Sequence, residues 1–205
     1  MKKAFTLCLA SVMLFSASIF GQITFTANDL PSIGTTLIYT NDTSAAGATA
    51  GSAGANQTWD LTGYNQITTT NINYVDPAST QFASDFPAAT IATEISGAYF
   101  YNIVTGSQNE LIGTGGTAQG VTLAIPFSPT LIQQMYPVNM GDNFTDPYGF
   151  DVTFDGSSQG VDNIRIKRVA TRTSHIDGSG TLITPLGQYQ CLREKVDEDI
   201  YDSVW

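Results

Sequence analysis

Positive charge is almost absent from this chain. Between Gln22 and Asn163 there is no Lys or Arg, and Arg165, Lys167, Arg168, Arg172, Arg193 and Lys195 all fall in the last quarter. Without Lys2 and Lys3 these six bases face 18 Asp and Glu, a formal charge of −12. Such a surface is repelled by phosphate backbones and anionic lipid, which argues against nucleic-acid and membrane-surface partners. Histidine occurs once, at His175, so a zinc site built from several imidazoles is excluded. Cysteine occurs twice, at Cys8 and Cys191. Past residue 22 no long stretch keeps apolar residues at helical spacing, which excludes a helical bundle.

The N-terminus carries what the rest lacks. Lys2 and Lys3 precede an apolar, small-residue run from Ala4 to Phe20, and Gly21 offers a small residue before a cut. Residues 1–21 therefore read as a signal peptide, with Gln22 the new N-terminus; an uncleaved anchor is the alternative. The run is short for about 30 Å of hydrocarbon, so no membrane insertion is expected after cleavage. Cys8 lies too early in the run for lipid attachment and leaves with the leader. Cys191 then has no internal disulfide partner and reads as a small buried hydrophobe. Residues 22–205 are long enough for one good core, and the protein is expected to be secreted or held at the cell surface. The sparse charge, made up by Thr, Ser, Asn, Gln and Gly, suits a soluble exported surface; a cation-dependent surface is the rival reading.

Short runs rich in Thr, Ile, Val, Tyr and Phe between turn residues predict an all-β fold. We read it as a single antiparallel β-sandwich, jelly-roll or Ig-like, with one or two short helices. The predicted strands are 23–26, 36–40, 67–75, 90–95, 98–104, 119–125, 150–154, 163–174, 180–184 and 189–196. Val121, Leu123, Ile125 and Phe127 alternate with smaller residues and predict one core face. Short helices are expected over 77–86, where Asp76 can cap and Pro77 suits the first position, and over 129–135. Surface loops are expected over 43–55 and 142–151. Parity slips where Val169 falls on the Arg165 face, which predicts a bulge near Lys167–Arg168 or a strand changing sheets. Thr184-Pro185-Leu186-Gly187 has Pro second and Gly fourth, as the turn of a hairpin should.

No catalytic, cofactor-binding or metal-binding residue is assigned, and the chain is read as a non-enzyme. Ser174-His175-Ile176-Asp177 has triad residue types, but strand neighbours point to opposite faces. Nothing beside Cys191 marks an activated thiol that would pair with His175. Calcium is the one cofactor considered: Asp142, Asn143, Asp146 and Asp151, or Asp155 with Asp162 and Asn163, supply oxygens, though without the spacing of a known loop. Carboxylates could also form a glycosidase pair, which only spatial separation reveals. Glu194, Asp197, Glu198, Asp199 and Asp202 read as a solvated strand end. Gly113-Thr114-Gly115-Gly116 lacks the Lys and helix of a phosphate loop. Among Tyr99, Phe100 and Tyr101, a conceivable sugar platform, at least one should be core, and Trp59 reads as a packing anchor.

Two segments, Asn56-Gln57-Thr58-Trp59-Asp60-Leu61 and the run from Asp177 to Arg193, together with a leader ending in Gly21-Gln22, resemble the N-terminal β-rich module of multidomain bacterial proteins exported by the type IX secretion route. The resemblance implies a β-sandwich-like module of unassigned activity, followed by further domains and a C-terminal sorting domain. The chain departs from the pattern at Trp205, where no sorting domain follows, so a fragment of a longer protein is expected. The expected function is a non-catalytic module for adhesion, display or spacing, its partners further domains of the same chain or surface glycans and proteins. The alternative is a carbohydrate-binding module or accessory domain of a glycan-degrading enzyme.

Overall fold

The computed structural model describes residues 23–44, 49–118, 120–157 and 160–205. The expected leader, 1–21, lies outside them, as does part of the expected loop over 43–55. The strands are β1 (Thr24–Phe25), β2 (Thr36–Asn41), β3 (Gly54–Asp60), β4 (Thr68–Val75), β5 (Ile91–Ile95), β6 (Ala98–Val104), β7 (Gln108–Ala118), β8 (Val121–Met135), β9 (Val138–Asn139), β10 (Asn143–Asp155), β11 (Asn163–Thr184) and β12 (Gly187–Val204). The fold is all-β and sandwich-like. One antiparallel sheet runs β2-β4-β5-β6-β7-β8, a second β10-β11-β12, and β1 pairs with β9. β3 joins the second sheet parallel to β11, beside its residues Gly178–Ile183, beyond the point where β10 stops at His175. At Gly180 the β3 backbone comes so close that a Cβ would overlap the Gln57 carbonyl, which is why this position lacks a side chain.

The six-stranded sheet is covered on both faces, so its central strands are apolar on both sides. On one face the segment after Asp76 lays Phe82 and Phe86 over Ala92 and Tyr101. Gly113 and Gly115 make room for those rings, since a Cβ on either would run into Phe86 or Phe82. The glycine-rich run is thus a strand shaped to its cover. On the other face Leu111 and Leu131 meet Tyr148 and Ala170 of the second sheet, with Phe100 and Phe127 beside them. Tyr136, Val138 and Ile176 form a third cluster with Phe25, Leu30 and Leu192.

Four expectations need correction. Residues 129–135 belong to β8, not to a helix: Leu131 pairs with Leu111 and is buried, and Pro126 and Pro129 are tolerated because β8 ends its sheet. Residues 143–151 are strand, not loop; β10 is likewise an outer strand, so Pro147 fits, and Tyr148, Phe150, Val152 and Phe154 share its inner side. The helix expected over 77–86 is a single 3₁₀ turn, Pro77–Ser79, with Asp76 accepting from the Ala78 N–H at 2.9 Å as its cap. No bulge occurs at Lys167–Arg168; pairing is regular there and shifts between Ile176 and Gly178. Arg168 faces inward, paired to Asp202, while Val169 is exposed opposite Tyr201. The apparent slip came from taking every apolar residue as internal.

The turn Thr184–Gly187 closes β11 onto β12 as expected. The hairpin is much longer than the two predicted pieces, at 22 and 18 residues. At about 3.3 Å per residue it extends up to about 55 Å from its Pro185-Leu186 tip to Val204.

Candidate functional site

The residues singled out by chemistry are dispersed by the fold. His175 is exposed on the outer side of β11, in register with Asn143 and Lys195, whereas Ser174 is fully buried on the inner side. Asp177 pairs with Arg193, their nearest charged atoms 3.1 Å apart. Cys191 sits opposite Gly180, several residues along the ladder from His175, and burial raises its thiol pKa. Tyr99 and Tyr101 pack in the first core and Phe100 in the second, so all three are core. Trp59 is half-buried: its ring fills the space over Gly51 and Gly178, and its indole N–H donates to the Ser52 carbonyl at 3.2 Å.

Four of the carboxylates weighed for calcium hold other partners. Asp142 accepts from the Asn139 N–H at 2.7 Å, Asp146 from the Ile132 N–H at 2.8 Å, and Asp155 from Ser157 at 2.9 Å, while Asp151 pairs with Arg165. Among the described residues no three His, Cys, Asp or Glu gather as a metal site would need.

Asp197, Glu198, Asp199 and Asp202 are exposed, as a solvated run should be, but the run is paired strand and not a loose end. It lies within β12, and three of its members face basic residues of β11: Arg168 holds Asp202 at 2.6 Å, and Arg172 lies 3.4 Å from Glu194 and 4.0 Å from Glu198. Opposite charges on facing strands stabilise the ladder, which explains why the bases concentrate here. Glu194 is the most enclosed. It accepts from the buried Ser174 hydroxyl in a short hydrogen bond and from the Gln134 amide at 3.1 Å. Nearby, burial pushes the Tyr136 hydroxyl pKa up to about 12.

The exposed pairs predict an acid response. Hydrogen bonds from Arg168 and Arg165 lower the Asp202 and Asp151 pKa values in the folded chain. A lowered folded-state pKa gives stability that is present above the unfolded value of about 4 and lost as pH falls through the folded value. The melting temperature should therefore fall as the pH drops below about 4, and the Arg168→Ala variant should fall less. Parallel curves for the two proteins would contradict the assignment.

An open groove lies where the hairpin tip approaches the edge of the six-stranded sheet. It encloses about 960 Å³ between β2, residues 61–66 and the tip. Tyr39, Tyr64 and Tyr189 line it with Leu61 and Leu186. Leu186 is 80% exposed, Ile38 66%, and Tyr39 and Tyr189 51% each. Among the described residues the hydroxyls of these tyrosines and the side-chain amides of Asn41, Asn65 and Gln66 have no hydrogen-bond partner. Asp42 is the one charged lining residue, and its carboxylate accepts from the Ser44 N–H and the Asn65 N–H, each at 2.8 Å. Sequence reading passed over this site. Its signals are an apolar residue at the solvent-facing turn position, Leu186, and consecutive Ile38 and Tyr39 in a six-residue strand, which cannot both face one core. No family model, curated protein or solved structure matches this chain.

Proposed function

We propose that this chain is a non-catalytic recognition module of an exported or cell-surface bacterial protein, serving adhesion or display. One observation carries the reading: a groove of exposed tyrosine and leucine side chains at the tip of a long hairpin. Contiguous apolar surface is costly to leave in water and marks interaction sites. Tyrosine suits such a surface because its ring buries apolar area while its hydroxyl stays wet. The ion-pair ladder of β11 and β12 suits a stiff support that spaces the tip from the far end of the hairpin.

The test is retention under flow. Microspheres carrying the full chain should be held by bacterial extracellular material, and a Leu186→Ser, Tyr189→Ala double variant should lose at least about three-quarters of that retention, as truncating two central anchors does elsewhere. Equal retention of the two proteins overturns the groove as the adhesive face. Turnover of an ester, peptide or glycoside by the full chain, abolished in Glu194→Gln, would overturn the non-catalytic reading.

A further inference from the structure

Resting on that reading, we infer that the groove between β2 and the hairpin tip binds a neutral polysaccharide chain. The lining sets the ligand class. Its ring faces come from Tyr39, Tyr64 and Tyr189, and its polar tips from Asn41, Asn65 and Gln66. A sugar ring offers an apolar C–H face to the first set and hydroxyls that both donate and accept to the second. Amide side chains need just such two-way partners. An apolar protein surface laid in the groove would strip water from those amides and hydroxyls without replacing its hydrogen bonds, which disfavours it.

Charge narrows the class further. The lining holds no Lys, Arg or His, its single carboxylate is that of Asp42, and the whole chain carries a formal charge of −10. Uronate, sulfate or phosphate groups would meet repulsion with no cation to receive them. A volume of about 960 Å³ stands at the upper end of the roughly 300–1,000 Å³ usual for ligand pockets, enough for several linked sugar rings. The groove is open to solvent and is not an enclosed cavity, so its occupant can extend beyond it.

Affinity electrophoresis of the full chain in gels holding soluble β-glucan, xylan or galactomannan, with alginate as the anionic control, tests the inference; titration calorimetry measures affinity for any polysaccharide that retards it. At least one neutral polysaccharide should retard the protein, Tyr39→Ala and Tyr189→Ala should each weaken binding about tenfold, and alginate should have no effect. Should either variant lose its β-sheet circular dichroism, Leu186→Asp at the exposed turn replaces it, with the same loss expected. The inference is overturned if none of the three neutral polysaccharides binds, if binding survives these substitutions, or if alginate alone retards the protein. Groove-dependent retention of microspheres without polysaccharide binding would leave the recognition reading standing and remove only the glycan. Loss of both results removes both readings.

Discussion

Replacing Tyr101 by alanine is expected to lower the stability of the chain by about 4 kcal/mol, measured as the shift in urea unfolding free energy. Tyr101 is fully buried, and its ring stacks on Phe86 with centroids 4.2 Å apart. Phe86 in turn lies over Gly113, so the ring stack links the Asp76–Thr90 cover to the middle of the six-stranded sheet. The hydroxyl has a defined role. Thr80 donates to the Pro77 carbonyl at 2.8 Å, so Tyr101 donates to Thr80 across 2.7 Å and fixes the cover's first turn. Truncation to alanine removes the ring, leaves a cavity between cover and sheet, and orphans the Thr80 oxygen. Tyr101→Phe keeps the stack and should cost only about 1 kcal/mol. With total stability of about 5–15 kcal/mol for a domain, the alanine variant should be partly unfolded at modest temperature. A loss below about 1.5 kcal/mol would mean the cover contributes little.

The second large effect is expected at Glu194. Its carboxylate serves Ser174, Gln134 and Arg172, and the side chains of Arg172 and Glu194 are only 17% and 24% exposed. Removing one partner from an enclosed pair leaves the other charge without compensation, so Glu194→Ala should cost about 3 kcal/mol. Glu198, 4.0 Å from Arg172, keeps the loss from being greater. Glu194→Gln retains an acceptor for the Ser174 hydroxyl and should cost less. The comparison that checks this reasoning is Asp202→Ala, which removes the shorter contact at 2.6 Å but from a pair exposed by 30% and 43%. Solvent screens that pair, and its loss should cost clearly less than the loss of Glu194. Equal denaturant shifts for the two alanine variants would contradict the view that enclosure, and not distance, decides which bridge matters.

The contrast between these pairs shows what was legible in the sequence. Strands with strong β-branched and aromatic content were readable, and β6 begins and ends where expected. The terminal hairpin was readable from Pro185 and Gly187, which carry their own backbone geometry. β7 was not, because Gly113 and Gly115 suppress local strand propensity for the sake of rings more than twenty residues earlier in the chain. β3 was hidden by the small residues that precede it, since its place beside β11 is set by Gly178 and Gly180, far along the chain. The inward face of β11 was misread because Arg168 and Arg172 are internal only by virtue of Asp202 and Glu194 on a later strand. The groove was invisible for the same reason: Tyr39, Tyr64 and Tyr189 are brought together by tertiary packing alone. In each case the missing information was a contact between distant segments, which residue patterning within one segment does not encode.

Hydrogen–deuterium exchange of the full chain, alone and bound to bacterial extracellular material, tests the central claim most directly. The account predicts slowed exchange confined to residues 36–42, 61–66 and 182–189, with the Tyr101 and Glu194 regions unchanged. Protection centred on the outer side of β11 around His175, or on the Ser174–Glu194 cluster, with the tip left unprotected, would contradict it.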